Sequence, residues 1–168
     1  MKTILSITMF CALVCFAQAQ EQTTASAQLE PKSGSKVTGT VKFTKVGDEV
    51  QVVADIQNLT PGKHGFHIHE KSDCSAPDAA SAGAHWNPGM KHHGGPETLD
   101  HHEGDLGNIT ADASGKAHLD WKGKLPLTGK DSIIGKSIVV HEKEDDLKTD
   151  PSGNSGARIA CGPILAAD

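Results

Sequence analysis

Val37-Thr38-Gly39-Thr40-Val41-Lys42-Phe43-Thr44-Lys45-Val46-Gly47-Asp48-Glu49-Val50-Gln51-Val52-Val53-Ala54-Asp55-Ile56 is the stretch that decides the fold class. Val37, Val41 and Phe43 share one face, with Thr38, Thr40, Lys42 and Thr44 on the other, because successive side chains of an extended chain point to opposite sides. Gly47-Asp48 is a two-residue hairpin signal, and Val50, Val52, Ala54 and Ile56 resume the alternation behind it. The period is two, not 3.6.

The same rhythm extends in both directions. Upstream, Ala25, Ala27 and Leu29 alternate with polar residues before the turn Pro31-Lys32-Ser33-Gly34. Downstream, Pro61-Gly62 turns the chain into an expected strand over 64–69, with further strands expected at 107–111, 117–121, 137–141 and 159–165. Ser114-Gly115 separates two of these as a hairpin, and no helical stripe of useful length is visible. Short strands divided by Gly and Pro turns indicate an all-β sandwich or barrel. Residues 71–104 and 142–157 break the rhythm, and loops this long inside a compact domain are usually functional.

Residues 1–19 stand apart from the fold. Lys2 is followed by an apolar run over 4–16 and by Ala17-Gln18-Ala19, the layout of a secretory signal peptide with cleavage expected after Ala19. Residues 20–24 read as a polar leader, and 25–168 as one domain of comfortable size. The full chain carries a net charge of −5, and losing Lys2 makes the exported form more acidic still. That excludes nucleic acid and anionic lipid as expected partners, and no later stretch is apolar enough to span a membrane. Export to the periplasm or the extracellular space also sets the redox state. Cys74 and Cys161 are the only cysteines after residue 19, so a disulfide between them is the default. Closing so long a loop stabilises by about 4–5 kcal/mol in the chain-entropy model.

Ten histidines beside no tyrosine is an odd composition for a structural β protein. His67 and His69, two apart on a strand, project from one face and make half of a metal site. His85, His93, His102 and Asp105 follow in the long loop, and His141 ends a later strand. Imidazole suits copper and zinc, and three imidazoles with one carboxylate suit tetrahedral zinc. Spacing alone assigns no ligand to either metal and does not choose between His92 and His93 or between His101 and His102.

Six motifs make the sequence recognisable. His64-Gly65-Phe66-His67-Ile68-His69-Glu70, Gly83-Ala84-His85-Trp86-Asn87-Pro88 and His93-Gly94-Gly95-Pro96 resemble signatures of copper–zinc superoxide dismutases. Gly104-Asp105-Leu106-Gly107-Asn108, Val139-Val140-His141-Glu142 and Gly156-Ala157-Arg158-Ile159-Ala160-Cys161-Gly162 complete the set in the family's order. Loop lengths and Lys148-Thr149-Asp150-Pro151-Ser152-Gly153 look most similar to bacterial secreted members. The resemblance implies a Greek-key β-sandwich, a flattened eight-stranded barrel with two long functional loops. It implies copper on His67, His69, His85 and His141, and zinc on His85, His93, His102 and Asp105, with His85 bridging. It further implies that Asp145 connects a copper histidine to a zinc histidine, and that Arg158 lines the channel for superoxide, the small anionic substrate. Catalysis would rest on His85 and Arg158, with dioxygen and hydrogen peroxide as products. His92 and His101 become neighbours of ligands, His118 is expected to face solvent, and His64 has a supporting role open to it. A homodimer is left open by the sequence. The rival reading is a non-catalytic copper or zinc carrier or chaperone of the same fold. Chaperone relatives typically lose copper histidines and add a Cys-x-Cys site; this chain keeps the histidines and has no such site.

Overall fold

The computed structural model describes residues 23–167; the segment expected to be a signal peptide, 1–19, most of the expected polar leader and Asp168 lie outside the described residues. Nine antiparallel strands follow in chain order: β1 Thr24–Pro31, β2 Thr38–Val46, β3 Glu49–Gln57, β4 Gly62–His69, β5 Asp105–Ala111, β6 Ala117–Gly123, β7 Ser137–His141, β8 Arg158–Pro163 and β9 Leu165–Ala166. The strands read from alternation are all present, with ends that shift by a few residues. The expected last strand is split instead, into β8 and a two-residue β9 that pairs with β1. Among the described residues, one short turn of 3-10 helix at Ala80–Ala82 is the only helical element, and no helix is long and apolar enough to cross a membrane.

Hydrogen-bonded neighbours run β2-β3-β6-β5-β4-β7-β8-β1, and β1 pairs with β2 to close an eight-stranded barrel. Sequence neighbours β3 and β4, and β6 and β7, are not adjacent in this order, which is the Greek-key pattern. The barrel is flattened. β1, β2, β3 and β6 form one well-paired sheet and β5, β4, β7 and β8 another. The seams between them are thin: Ala111 opposite Ala117 on one side, Glu30 and Pro31 opposite Cys161 and Ala160 on the other.

The two inner faces meet in one core that includes Leu29, Val41, Phe43, Val52, Phe66, Ile68, Ile109, Ile138 and Val140. A third long connection, residues 124–136, closes one end of this core with Leu125, Leu127 and Ile133. Its apolar residues gave no strand period, which is why the sequence marks only two long loops.

Candidate metal centre

The second sheet carries the site on its outer face. β4 is buried at every position from His64 to His69, because Phe66 and Ile68 point into the core while His67 and His69 point out beneath the long loops. β7 is buried throughout for the same reason. A small second cluster, Ala79, Ala82, Val139 and Cys161, packs the first loop onto this outer face. The Cys74–Cys161 disulfide, expected from export, lies beside it.

His85 reaches the site along a short antiparallel bridge to His69. Glu70 N–H donates to Ala84 O at 3.0 Å, and Trp86 N–H donates to Ile68 O at 2.8 Å, so the loop acts as an extra strand there. Gly104 sits where this ribbon presses closest, since a Cβ would collide with Ile68 O and the Trp86 backbone.

Two groups of side chains converge, each with its donor atoms within 4.8 Å of one another: His67, His69, His85 and His141, and His85, His93, His102 and Asp105. These are the residues singled out in the sequence, and His85 belongs to both. In the first group His141 Nε2 lies 3.4 Å from His69 Nε2. In the second, Asp105 Oδ1 lies 2.7 Å from His85 Nδ1 and 3.3 Å from His102 Nδ1, while Asp105 Oδ2 is 3.1 Å from His93 Nδ1. His85 therefore turns Nδ1 to the second group. Its Nε2 and His67 Nδ1 are buried without a hydrogen-bond partner, and His93 Nδ1, though close to Asp105 Oδ2, makes no hydrogen bond to it. Orphaned ring nitrogens are expensive to bury, and three of them inside two imidazole clusters fit a pair of borderline-soft cations.

Hydrogen bonds hold the rings from behind, as ligating imidazoles require. Asp145 links the two groups, with His67 Nε2 at 2.7 Å and His93 Nε2 at 2.8 Å from its two oxygens. His69 Nδ1 donates to Gly83 O at 2.9 Å, and His141 Nδ1 lies 3.3 Å from Gly156 O. Gly153, at φ +61°, has no space for a side chain because the Asp145–His93 pair occupies it. His64 takes the supporting position: it is buried, with Nδ1 2.8 Å from His141 O and Nε2 2.8 Å from Thr60 O.

Burial pushes His67, His69 and His141 below the ordinary histidine range, and takes His85 down to about 4. Neutral imidazoles are the form that binds metal. His93 goes the other way. Burial opposes its charge, but Asp105 and Asp145 hold it up to about 9. Burial likewise opposes the charge of both carboxyls, but His85 and then His93 at Asp105, and His67 and then His93 at Asp145, hold them far below their usual range.

Arg158, at the start of β8, donates from Nη1 to Ala79 O and from Nη2 to Gly83 O, each at 2.7 Å. The carbonyl of Gly83 thus serves both Arg158 and His69. His92 and His101 stay outside both groups: His92 pairs with Asp150 at 2.8 Å, and His101 Nδ1 donates to its neighbour's carbonyl. His118 is exposed on the other sheet beside Asp55, as expected.

Residues 37–164 match the family model described as copper/zinc superoxide dismutase. Extracellular Cu-Zn superoxide dismutases of three animals are similar to the chain. That of Caenorhabditis elegans is 40% identical over 162 residues, 90% of this chain and 73% of the relative. That of Brugia pahangi is 44% identical over 151 residues, 84% and 75% of the two chains. That of Drosophila melanogaster is 46% identical over 139 residues, 77% and 76%. The crystal structure of the clock protein EA4 superposes with a TM-score of 0.82 at 37% identity, over 91% of this chain and all of that one. These animal relatives lend no support to the bacterial affinity read from the loops.

Proposed function

The chain belongs to the copper/zinc superoxide dismutase family, and from that premise we propose how its residues divide the work. The protein is an oxidoreductase that converts two superoxide ions and two protons to dioxygen and hydrogen peroxide, using copper and zinc. Bound copper supplies the one-electron redox chemistry, and bound zinc supplies a fixed charge without any.

His67, His69, His85 and His141 would hold copper, and His85, His93, His102 and Asp105 would hold zinc. The observation that carries this assignment is the membership of His85 in both groups, with Nδ1 beside Asp105 and Nε2 free of any other partner. When its Nε2 is not serving as a ligand, His85 would be able to carry there one of the two protons that the product needs. Asp145 keeps the distal nitrogens of His67 and His93 in place, so the two sites stay in register. Arg158 presents a planar, permanently charged group at the channel, where an otherwise acidic protein needs a local focus for an anion.

The chain is secreted, as its extracellular relatives are, and cleavage after Ala19 belongs to the same proposal. Sedimentation of the mature form separates a monomer from a homodimer. Metal analysis of that purified form, paired with a superoxide-consumption assay, tests the whole reading. About one copper and one zinc per chain with fast consumption are expected. Full metal content without consumption would favour the carrier instead.

A further inference from the structure

Asp145 is placed by a residue to which neither the motif nor the ligand sets give a role. Asn108 lies on β5, half-buried, opposite Gly65 of β4. Its side-chain amide donates to Asp145 O at 2.9 Å, and its side-chain oxygen accepts from Asp145 N–H at 2.8 Å. One amide therefore satisfies both backbone groups of Asp145, as a neighbouring strand would. The loop of residues 142–157 has a paired base, with Glu142 N–H on Ala157 O and Lys143 N–H on Ser155 O. Asp145 lies beyond that base; β4 meets its carboxylate through His67 and its neighbours through Gly65 N–H on Lys143 O and the Lys63–Glu144 pair, while Asn108 is the side chain that holds its backbone to the barrel.

The two histidines served by Asp145 differ in what else holds them. His67 sits on β4 with strands on both sides, facing Asp105 and Val139. His93 sits in the irregular stretch between residues 71 and 104, its backbone N–H held by Asp150 at 2.7 Å from the same 142–157 loop. Freeing Asp145 costs His67 one orienting bond. It costs His93 its distal support and loosens the segment that carries Asp150.

Resting on the metal reading above, we propose that Asn108 is a positioning residue that governs retention of zinc selectively over copper. Mutation of groups that orient a ligand typically costs 10- to 100-fold in metal affinity. In Asn108→Ala that loss falls on the zinc set, because three of the four copper ligands, His67, His69 and His141, are carried by strands and the fourth, His85, is bridged to β4, whereas His93 and His102 sit in the loop.

The test uses the mature full-length protein, loaded with both metals, as wild type, Asn108→Ala, Asn108→Asp and the exposed same-strand control Thr110→Ala. Zinc release to a chromogenic chelator is timed, copper is followed by electron paramagnetic resonance, and amide hydrogen exchange is recorded on the metal-free forms. Asn108→Ala should release zinc roughly 10- to 100-fold faster, keep its copper, and exchange faster over 145–153 while the barrel amides stay protected. Asn108→Asp, which keeps the acceptor for Asp145 N–H and loses the donor, should fall between Ala and wild type and also serves if the alanine variant does not fold. Thr110→Ala should match wild type. Zinc release within twofold of wild type in both Asn108 variants, or equal loss of the two metals, would overturn the proposal. A wild type that takes up no zinc would overturn the metal reading beneath it.

Discussion

The two sheets of the barrel obey the same chemistry inside and opposite chemistry outside. In the sheet of β1, β2, β3 and β6, burial alternates along the strand: Val50, Val52, Ala54 and Ile56 are buried while Asp55 and Gln57 are exposed. In the other sheet, β4 from His64 onward and all of β7 are buried on both faces, since loops and a disulfide cover the outer face there. A pair of histidines on the first sheet would stand in solvent, as His118 does. On the second they are dry, neutral and confronted by others. The difference teaches that the site is made by the cover, not by the strand.

The sharpest way to break that comparison is to exchange one histidine from each sheet for alanine. His85→Ala should abolish superoxide consumption and disturb both metals, because one ring serves both groups. His118→Ala should change neither, its exposed partner Asp55 contributing little. Metal analysis and rate assays read both, and full activity in His85→Ala would refute the bridge.

Charge on the covered side comes next. Arg158→Glu should lower the rate roughly tenfold or more with metals still bound, and Arg158→Lys should lower it less. The wild-type rate should fall with ionic strength, since screening shortens the reach of the field. Because Arg158 also donates to Ala79 O and Gly83 O, a charge-reversed variant with an unchanged rate would leave it a purely structural clamp.

Removing the cover's covalent tie is a test of stability more than of chemistry. Cys74→Ser with Cys161→Ser should lower the unfolding free energy by about 4–5 kcal/mol, measured by denaturant melts. It should also weaken zinc retention, as Cys74 anchors the loop that holds His85 and His93.

The smallest effect concerns acid. Asp146 accepts from its own loop (Lys148 N–H, the Thr149 N–H and hydroxyl, and Asn154), and these bonds, led by the Thr149 hydroxyl, hold its carboxyl at about 2. A depressed carboxyl stabilises the fold above its ordinary value near 3.8 and loses that contribution as pH falls through about 2. Hydrogen-exchange protection over residues 146–154 in the metal-free protein, taken relative to the intrinsic rate at each pH, should therefore fall between pH 4 and 2. Asp146→Asn should flatten that dependence.

Much of this molecule is legible along the chain. The alternation from Val37 to Ile56 marks two strands and their hairpin, and His67-Ile68-His69 marks a face, because side-chain direction in a strand is dictated by the backbone one residue at a time. The residue types at 85, 93, 102, 105 and 141 name the chemistry, and the motifs around them name the family. Spacing left His92 and His93 level, however. So too with Asn108, whose importance lies wholly in a segment 37 positions away. The strand expected at 159–165 exceeds β8 because its run of apolar and small residues, Ile159 to Leu165, continues unbroken through the bend where β8 gives way to β9.

The sequence by itself determined the all-β class, the strand positions, exported chemistry and the kinds of ligand. Tertiary structure alone decided that His85 lies between two groups, that Asp145 reaches both, that Arg158 is gripped by the disulfide loop and that the outer face of one sheet is dry. The physical reason is range. Local sterics write a period into a strand, whereas the meeting of His67, His85 and His141 requires the barrel to close and two loops to fold back over it, a consequence of contacts between residues far apart in the chain.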